Sequence, residues 1–241
     1  MHTFSLAAYR DLLLNLKEAG YDFAFYEESE QRLAAKKPFV ILRHDVDISL
    51  RAALEMAQVE HDLGLRAVYF VLFRSPFYNL LSRQNAEIMQ QLHNYGHQLA
   101  LHVDLAAYDE HCEKALLEIE LLSKFFPFVN TGVATLHSPV QIENLPIELF
   151  QPLNAVYGLT LRKGEIAYIS DSTGRWRYGH PLDSEAFFTR KPIQLLTHPI
   201  WWVQEGETAT AKLEAWFYQD YLHTSELAKT FLPKLYKAQQ R

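Results

Sequence analysis

The amino-acid sequence predicts a barrel-like α/β fold in which strands and helices alternate. Short apolar segments of strand length recur roughly every 30 residues, and a segment with helical periodicity lies between one and the next. An aspartate or a histidine follows most of these apolar segments. Because the carboxyl ends of parallel barrel strands meet at one mouth, where active sites lie, we expect these polar side chains to converge there.

Composition limits the class of protein and its partners. The 241 residues are 49% hydrophobic with a formal net charge of −6, which is typical of one large globular domain covering 1–241. No basic run is present, so we expect no nucleic-acid partner. We also expect no membrane span, because no segment reaches ~20 apolar residues. The single cysteine, Cys112, and an amino terminus without signal-peptide features favour the cytoplasm.

The first 37 residues predict one helix and one short strand. Ser5 can cap a helix that continues to Glu18, where Gly20 ends it. A strand is expected over Tyr21–Tyr26, followed by a polar connection over Glu27–Lys37.

Three helices and four strands are expected from Pro38 to His137. The predicted strands are Phe39–Leu42, Ala67–Leu72, Gln98–Leu101 and Val133–Leu136. The predicted helices are Ser49–Leu63, Ser82–Gly96 and Asp109–Phe126.

Beyond His137 the alternation loosens. Short strands separated by loops are expected at Ala155–Tyr157, Ile166–Ile169 and Ile193–Leu196. A last helix is expected from Thr208 to His223, with a helical tail to Tyr236.

The segment after Phe39–Leu42 places two carboxylates side by side. Side chains alternate along a strand, so Asp45 and Asp47 point to one face and His44 to the other. Neighbouring carboxylates repel each other and lose solvation, and a bound cation relieves both costs. Asp47 also fits a duller interpretation as a turn or helix-cap residue, although the carboxylate pair favours a site.

Four later strands add acids and histidines to the same mouth: His102, Asp104, His137, Asp171 and His198. A single histidine of this kind is more often a hydrogen-bonded core residue, and only the joint pattern favours a site. Imidazole and carboxylate ligands suit zinc or a similar divalent ion, and three protein ligands leave a position for water. The absence of a Gly-x-Ser-x-Gly elbow and of a glycine-rich phosphate loop argues against serine hydrolases and nucleotide-binding enzymes.

These residues resemble the motifs of the polysaccharide deacetylase superfamily, the NodB-type family 4 carbohydrate esterases. The closest likeness is to its divergent bacterial branch that opens with His-Asp-Val-Asp, which is His44 to Asp47 here. The other matching segments are Arg66-Ala67-Val68-Tyr69-Phe70, Gly96-His97-Gln98-Leu99-Ala100-Leu101-His102, Leu136-His137-Ser138-Pro139, Ser170-Asp171-Ser172-Thr173-Gly174-Arg175-Trp176 and Leu196-Thr197-His198-Pro199.

The resemblance implies a distorted (β/α) barrel, a divalent metal, zinc above all, and hydrolysis of an N-acyl amide on a sugar. It implies that Asp45 is the catalytic base and His198 the general acid, with Asp47 and His102 binding the metal. The family's second metal histidine, four residues after the first, is Ala106 here. His137 is our candidate replacement, with Asp104 and His44 as alternatives.

We therefore expect a cytoplasmic, metal-dependent amide hydrolase acting on a small or carrier-linked acylated amino sugar during surface polysaccharide synthesis. Candidates for substrate contact near the mouth are Arg74, Tyr78, Asp104, Asp171, Trp176 and Trp201. One alternative is a catalytically inactive relative that binds a saccharide. Another is a metal phosphohydrolase of the His-Asp type, whose fold is all-helical. The oligomeric state stays open.

Overall fold

The sheet that carries the polar residues consists of parallel strands. The computed structural model describes residues 4–104, 113–137, 156–157, 164–177 and 179–236. The strands in these residues are β1 (Asp22–Phe23), β2 (Phe39–Val46), β3 (Val68–Leu72), β4 (Gln98–Val103), β5 (Val133–Leu136), β6 (Val156–Tyr157), β7 (Ala167–Ser170) and β8 (Ile193–Thr197).

Strand β2 lies in the interior of the sheet. The strand order is β6-β5-β4-β3-β2-β8-β7, and β1 pairs with the beginning of β2. The neighbours of β2 are therefore β3 on one side and β8 on the other, all parallel. The sheet curls into a half-barrel with helices around it, as the sequence predicts for a distorted (β/α) barrel. This parallel sheet also excludes the all-helical His-Asp phosphohydrolase fold.

Helices cover the outer face of this sheet. They are α1 (Leu6–Glu18), α2 (Ser29–Ala34), α3 (Leu50–Asp62), α4 (Arg83–Asn94), α5 (Glu113–Phe125), α6 (Glu185–Phe188), α7 (Pro199–Val203) and α8 (Ala209–Phe231). Ser5, Ser49, Ser82 and Thr208, where the sequence predicts helices to begin, each accept a backbone N–H of the first turn through the side-chain oxygen. No helix in the described part of the chain is long and apolar enough to cross a membrane.

The apolar core lies in two layers separated by the sheet. The larger layer fills the space between the sheet and the helices. The smaller one lies inside the curl and contains residues such as Phe39, Ile41, Val68 and Phe70. Alternation along β2 points Arg43 and Asp45 in the same direction as Phe39 and Ile41. The inner layer is therefore bordered at the mouth by charged side chains.

Several predicted boundaries differ from the structure. Strand β2 continues to Val46 because backbone pairing with β3 extends to the end of the motif. The strand predicted at Tyr21–Tyr26 is only two residues long, and the polar connection after it contains α2. Helices α6 and α7 replace expected loops. The first four residues of the helix predicted at Asp109–Phe126 lie outside the described residues.

Candidate metal centre and active site

Three side chains that the sequence nominates as metal ligands lie together. The Nε2 atom of His102 is 3.4 Å from Oδ1 of Asp47, and Nδ1 of His137 is 3.3 Å from the same oxygen. Ligand atoms of the three residues lie within 4.8 Å of one another. They come from β4 and from the residues just after β2 and β5. Three different strands thus deliver one ligand each.

Asp47 has the electrostatics of a cation ligand. Its Oδ1 atom is buried and accepts no hydrogen bond, which is costly unless another partner is bound there. Burial alone would raise the pKa of Asp47, but the His102 and His137 rings hold it well below its usual value. The carboxylate is therefore charged, and it faces two ring nitrogens.

The His102 ring is held from behind by Thr135. The Nδ1 atom of His102 lies 2.8 Å from Oγ1 of Thr135, its register partner on β5. A hydroxyl that accepts Nδ1–H leaves the Nε2 lone pair directed at Asp47. We did not single out Thr135 in the sequence, although it lies on the same strand face as His137, two residues before it.

Asp45 is held by an arginine from its own strand. The Nε and Nη2 atoms of Arg43 donate to the two carboxylate oxygens at 2.8 and 2.7 Å, and both residues are buried. The guanidinium also lies over the ring of Phe70. Burial alone would raise the pKa of Asp45, but Arg43 and then His102 lower it. The Oδ2 atom of Asp45 is 3.5 Å from Nε2 of His102, so the ion pair borders the metal-type cluster.

His198 is held in place by Asp171. Its Nδ1 lies 2.6 Å from Oδ1 of Asp171. Both carboxylate oxygens of Asp171 accept the His198 backbone N–H, and Oδ2 also accepts the indole N–H of Trp202. Burial lowers the pKa of His198, but the Asp171 carboxylate outweighs it and raises that pKa to about 9. The opposite ring nitrogen, Nε2, is 3.8 Å from Oδ2 of Asp47. A protonated imidazole therefore faces the cluster.

His44 points away from this site. On the outer face of the sheet its Nε2 pairs with Glu60 at 2.8 Å and its Nδ1 contacts Thr197 at 2.7 Å. The completely buried Glu60 also accepts the hydroxyls of Tyr9 and Tyr69. Among the alternatives for a third ligand, the geometry favours His137 over His44. Glu60 was not predicted, because its partners lie on three other elements.

The residues proposed for substrate contact occupy different environments. Trp201 lines a small cavity beside Asp45, Asp47 and His198, of about 20 Å³, which is about the space of one water. Trp176 is half-buried and packs on Phe4 and Trp202.

Tyr78, Asp171 and Arg74 already have partners within the protein. The hydroxyl of Tyr78 donates to the Val46 carbonyl and accepts the Leu72 N–H, which ties β2 to β3. Asp171 is completely buried behind His198. Arg74 is half-exposed and donates to Glu118 at 2.8 Å.

Asp104 lies just after β4 and is half-buried. Its charge contributes to a raised pKa of His137, for which the Asp47 carboxylate is the main cause. Asp104 therefore borders the cluster.

Neither a protein-family model nor a curated protein sequence matches the chain. Solved structures do match. A chitin deacetylase from Colletotrichum lindemuthianum is 16% identical over 42% of this chain and 46% of its own, with a TM-score of 0.33. The peptidoglycan deacetylase PdaC from Bacillus subtilis, as the mutant D285S, is 12% identical over 83% of this chain and 98% of its own, with a TM-score of 0.43. A family 4 carbohydrate esterase from Bacillus anthracis is 18% identical over 90% of this chain and 86% of its own, with a TM-score of 0.41. All three are carbohydrate deacetylases or esterases by description, the group that the sequence motifs resemble.

Proposed function

We propose that the protein is a metal-dependent hydrolase that removes an N-acetyl or similar N-acyl group from an amino sugar. The observation that carries the proposal is the buried Oδ1 of Asp47, which has no hydrogen bond and faces the ring nitrogens of His102 and His137. A base candidate, Asp45, and an acid candidate, His198, lie on either side of these three residues. Metal-assisted amide hydrolysis uses this combination of groups.

The donor set fits a divalent ion. Two imidazole nitrogens and one carboxylate oxygen form a ligand set of the kind found in catalytic zinc sites, so Asp47, His102 and His137 would hold zinc. Such an ion supplies Lewis acidity, which polarises a carbonyl oxygen and lowers the pKa of water. Thr135 keeps the His102 ring in the orientation that this role needs.

Asp45 is the group we assign as general base. Arg43 keeps it ionised and fixes both of its oxygens. The same ion pair also makes Asp45 a weak base, because a proton must compete with the guanidinium for the carboxylate. Asp45 can therefore take the proton of an attacking water only while that water is itself made more acidic.

His198 is the group we assign as general acid. Its raised pKa keeps Nε2 protonated at neutral pH, and the departing amine needs that proton when the carbon–nitrogen bond breaks. Asp171 acts through His198, since its oxygens are fully occupied by the ring, the backbone N–H and Trp202. It is therefore a positioning residue.

The substrate we propose is a small or carrier-linked acylated amino sugar, used in the cytoplasm for surface polysaccharide synthesis. Trp201 lines the cavity beside Asp45 and His198, but it is only 9% exposed and the cavity has the space of about one water, so its ring packs beside the reacting groups and does not stack on a sugar. An inactive saccharide-binding relative is not favoured. The argument for such a relative is that alanine stands at position 106, where the family has its second metal histidine. His137 fills that role by position, because its Nδ1 lies 3.3 Å from Oδ1 of Asp47.

The test is a metal analysis of protein purified without chelator, combined with an acetate-release assay on chitooligosaccharides and N-acetylglucosamine glycosides. We expect about one divalent ion per chain and acetate release that a chelator abolishes. His198→Ala is the matched variant and should keep the ion while losing acetate release. Protein without metal that shows no thermal shift with zinc, cobalt or nickel would contradict the proposal.

A further inference from the structure

Trp201 carries a buried indole N–H beside the reacting groups. Its Nε1 atom makes no hydrogen bond to any residue that the structure describes. The next residue, Trp202, is also buried and donates its own indole N–H to Asp171 at 2.8 Å. A buried donor without an acceptor is costly, and buried indole N–H groups usually have one. The position of Trp201 therefore calls for an acceptor that is not part of the chain.

The space for that acceptor is small. Trp201 lines a cavity of about 20 Å³ together with Asp45, Asp47 and His198. One water needs at least ~10–15 Å³ of such space. The cavity therefore has room for about one water and not for a sugar ring.

The charges around the cavity favour a neutral molecule. Asp45 is ion-paired with Arg43, and Asp47 faces two imidazole rings, so both carboxylates are ionised and repel an anion. The N–H of Trp201 is a donor only, so it offers nothing to a cation. A water can accept this N–H and donate to both carboxylates, which gives the three hydrogen bonds typical of a buried water. The cavity thus has the polarity of a water site.

The indole ring is held in place by its surroundings. The backbone N–H of Trp201 donates to the His198 carbonyl at 3.1 Å. A side chain at Gly174 would begin 3.5 Å from Cδ2 and Cε3 of Trp201 and 3.0 Å from Cβ of Ala209. Glycine is favoured at this position because the contacts are close and its φ is +72°. Cδ2 and Cε3 lie on one long edge of the indole and Nε1 on the other, so the N–H edge is the one turned away from Gly174.

We propose that Trp201 holds the water that attacks the substrate carbonyl, between its indole N–H and Asp45. This inference rests on the hydrolase function proposed above. The oxygen of the water bonds to the carbonyl carbon while one of its protons passes to Asp45. The carbon–nitrogen bond then breaks, and the departing amine takes the proton of His198. The acid product releases the second water proton as it ionises, and the proton on Asp45 returns through solvent to His198.

In this role Trp201 contacts a reacting molecule and is a catalytic residue. A single donor fixes the position of the water oxygen relative to the base, and a displacement of about 1 Å in such a position can cost ~100-fold in rate. The cavity size explains why the ring is not available to the sugar.

Nuclear magnetic resonance of the indole N–H groups tests whether the water is present. The chain contains four tryptophans, and single phenylalanine variants assign their signals in ¹⁵N-labelled protein. We expect the Trp201 N–H to show a dipolar contact with water in the rotating frame, where dipolar contact and proton exchange differ in sign. The Trp202 N–H, which Asp171 accepts, should show none. No contact at Trp201, or equal contacts at both indoles, would overturn the proposal.

Kinetics test whether this water reacts. Trp201→Phe removes the N–H and keeps an aromatic ring, so kcat for acetate release should fall ~10–100-fold while KM and zinc affinity stay unchanged. Trp216→Phe is the matched control, because it removes a buried indole N–H that also has no acceptor among the described residues. It lies on α8, outside the cavity, and should keep the original kcat.

The outcomes separate this inference from the function on which it rests. An active original chain whose kcat is unaffected by Trp201→Phe, or is lowered equally by Trp216→Phe, would overturn the role of Trp201 alone. An original chain that shows the water contact but releases no acetate would contradict the hydrolase function, and the reactive role of the water with it.

Discussion

The Oδ1 atom of Asp47 lies 3.3 Å from the Nδ1 atom of His137, although β3 and β4 separate the strands that carry the two residues. Three strand spacings in a flat sheet amount to ~14 Å, so the curl of the sheet brings the two side chains together. His137 thereby takes up a place beside Asp47 and His102, in a chain that carries alanine at position 106. The metal-type cluster depends on this curvature as much as on the residues.

Replacing His137 should remove the ion. We expect His137→Ala to weaken zinc binding by at least ~100-fold, because two remaining ligands do not complete a tight site. Zinc titration of the apoprotein by calorimetry measures this directly. His93→Ala, an exposed histidine on α4, is the control and should bind zinc like the original chain. Unchanged zinc affinity in His137→Ala would contradict this assignment and leave Asp104 as the candidate third ligand.

Thr135 should affect metal affinity without contacting the metal. Thr135→Val keeps the shape of the side chain but removes the hydroxyl that holds His102 Nδ1 at 2.8 Å. We expect a ~10–100-fold loss of zinc affinity, as is usual when a partner of a ligand histidine is removed. Thr210→Val on the exposed part of α8 serves as the control. Equal affinities for the two variants would show that Thr135 does not orient the ring.

Asp45→Asn should lose turnover by at least ~100-fold while keeping the ion, as expected for removal of a general base. The structure adds a cost in stability. Arg43 is buried and loses its charged partner, so we expect the free energy of unfolding to fall by ~3–5 kcal/mol. Kinetics, metal analysis and denaturant unfolding separate the three effects. Asp11→Asn, exposed on α1, is the matched control. Loss of the ion in Asp45→Asn would instead identify Asp45 as a ligand.

Activity should depend on the protonation of His198. An acid must carry its proton, so turnover should fall as pH rises through the raised pKa of about 9. Asp171→Asn removes the charge that raises this pKa, so the basic limb of the pH–rate profile should move to lower pH with the ion retained. A merely structural role for Asp171 predicts lower activity with an unmoved limb.

The buried Glu60 should stabilise the fold in a pH-dependent way. Burial raises the pKa of Glu60, but His44 outweighs it and lowers that pKa below the ordinary 4.5. A depressed folded pKa gives stability that is present above the unfolded pKa and is lost as pH falls through the folded pKa. Glu60→Gln should therefore cost ~3–5 kcal/mol at neutral pH, with a smaller difference in acid.

The control for this measurement is Glu87→Gln, because the ion pair of Glu87 with Arg83 is exposed. Unfolding by denaturant at neutral and acid pH checks both variants. A Glu60→Gln cost that does not change with pH would show that the carboxylate charge is not what stabilises the cluster.

The sequence by itself determined the order of the main elements, although not the short helices α2, α6 and α7, and it determined the end of the sheet where the site lies. Serine and threonine caps, glycine stops and apolar segments act through neighbours in the chain, so a local pattern is sufficient to locate α1, α3, α4 and α8. Alternation along β2 likewise separates His44 from Asp45 and Asp47 without knowledge of the fold.

Only the tertiary structure decided what each polar side chain contacts. From the sequence alone, Arg43, Asp171 and Tyr78 could each be interpreted as groups facing substrate. In the structure they bind Asp45, His198 and the Val46 carbonyl instead. The sequence reports the strand face of a residue but not its distance from other strands. Those distances follow from the curl of the sheet and the packing of the helices behind it. Hydrogen bonds act over about 3 Å, so small differences in that curvature separate a ligand from a supporting residue.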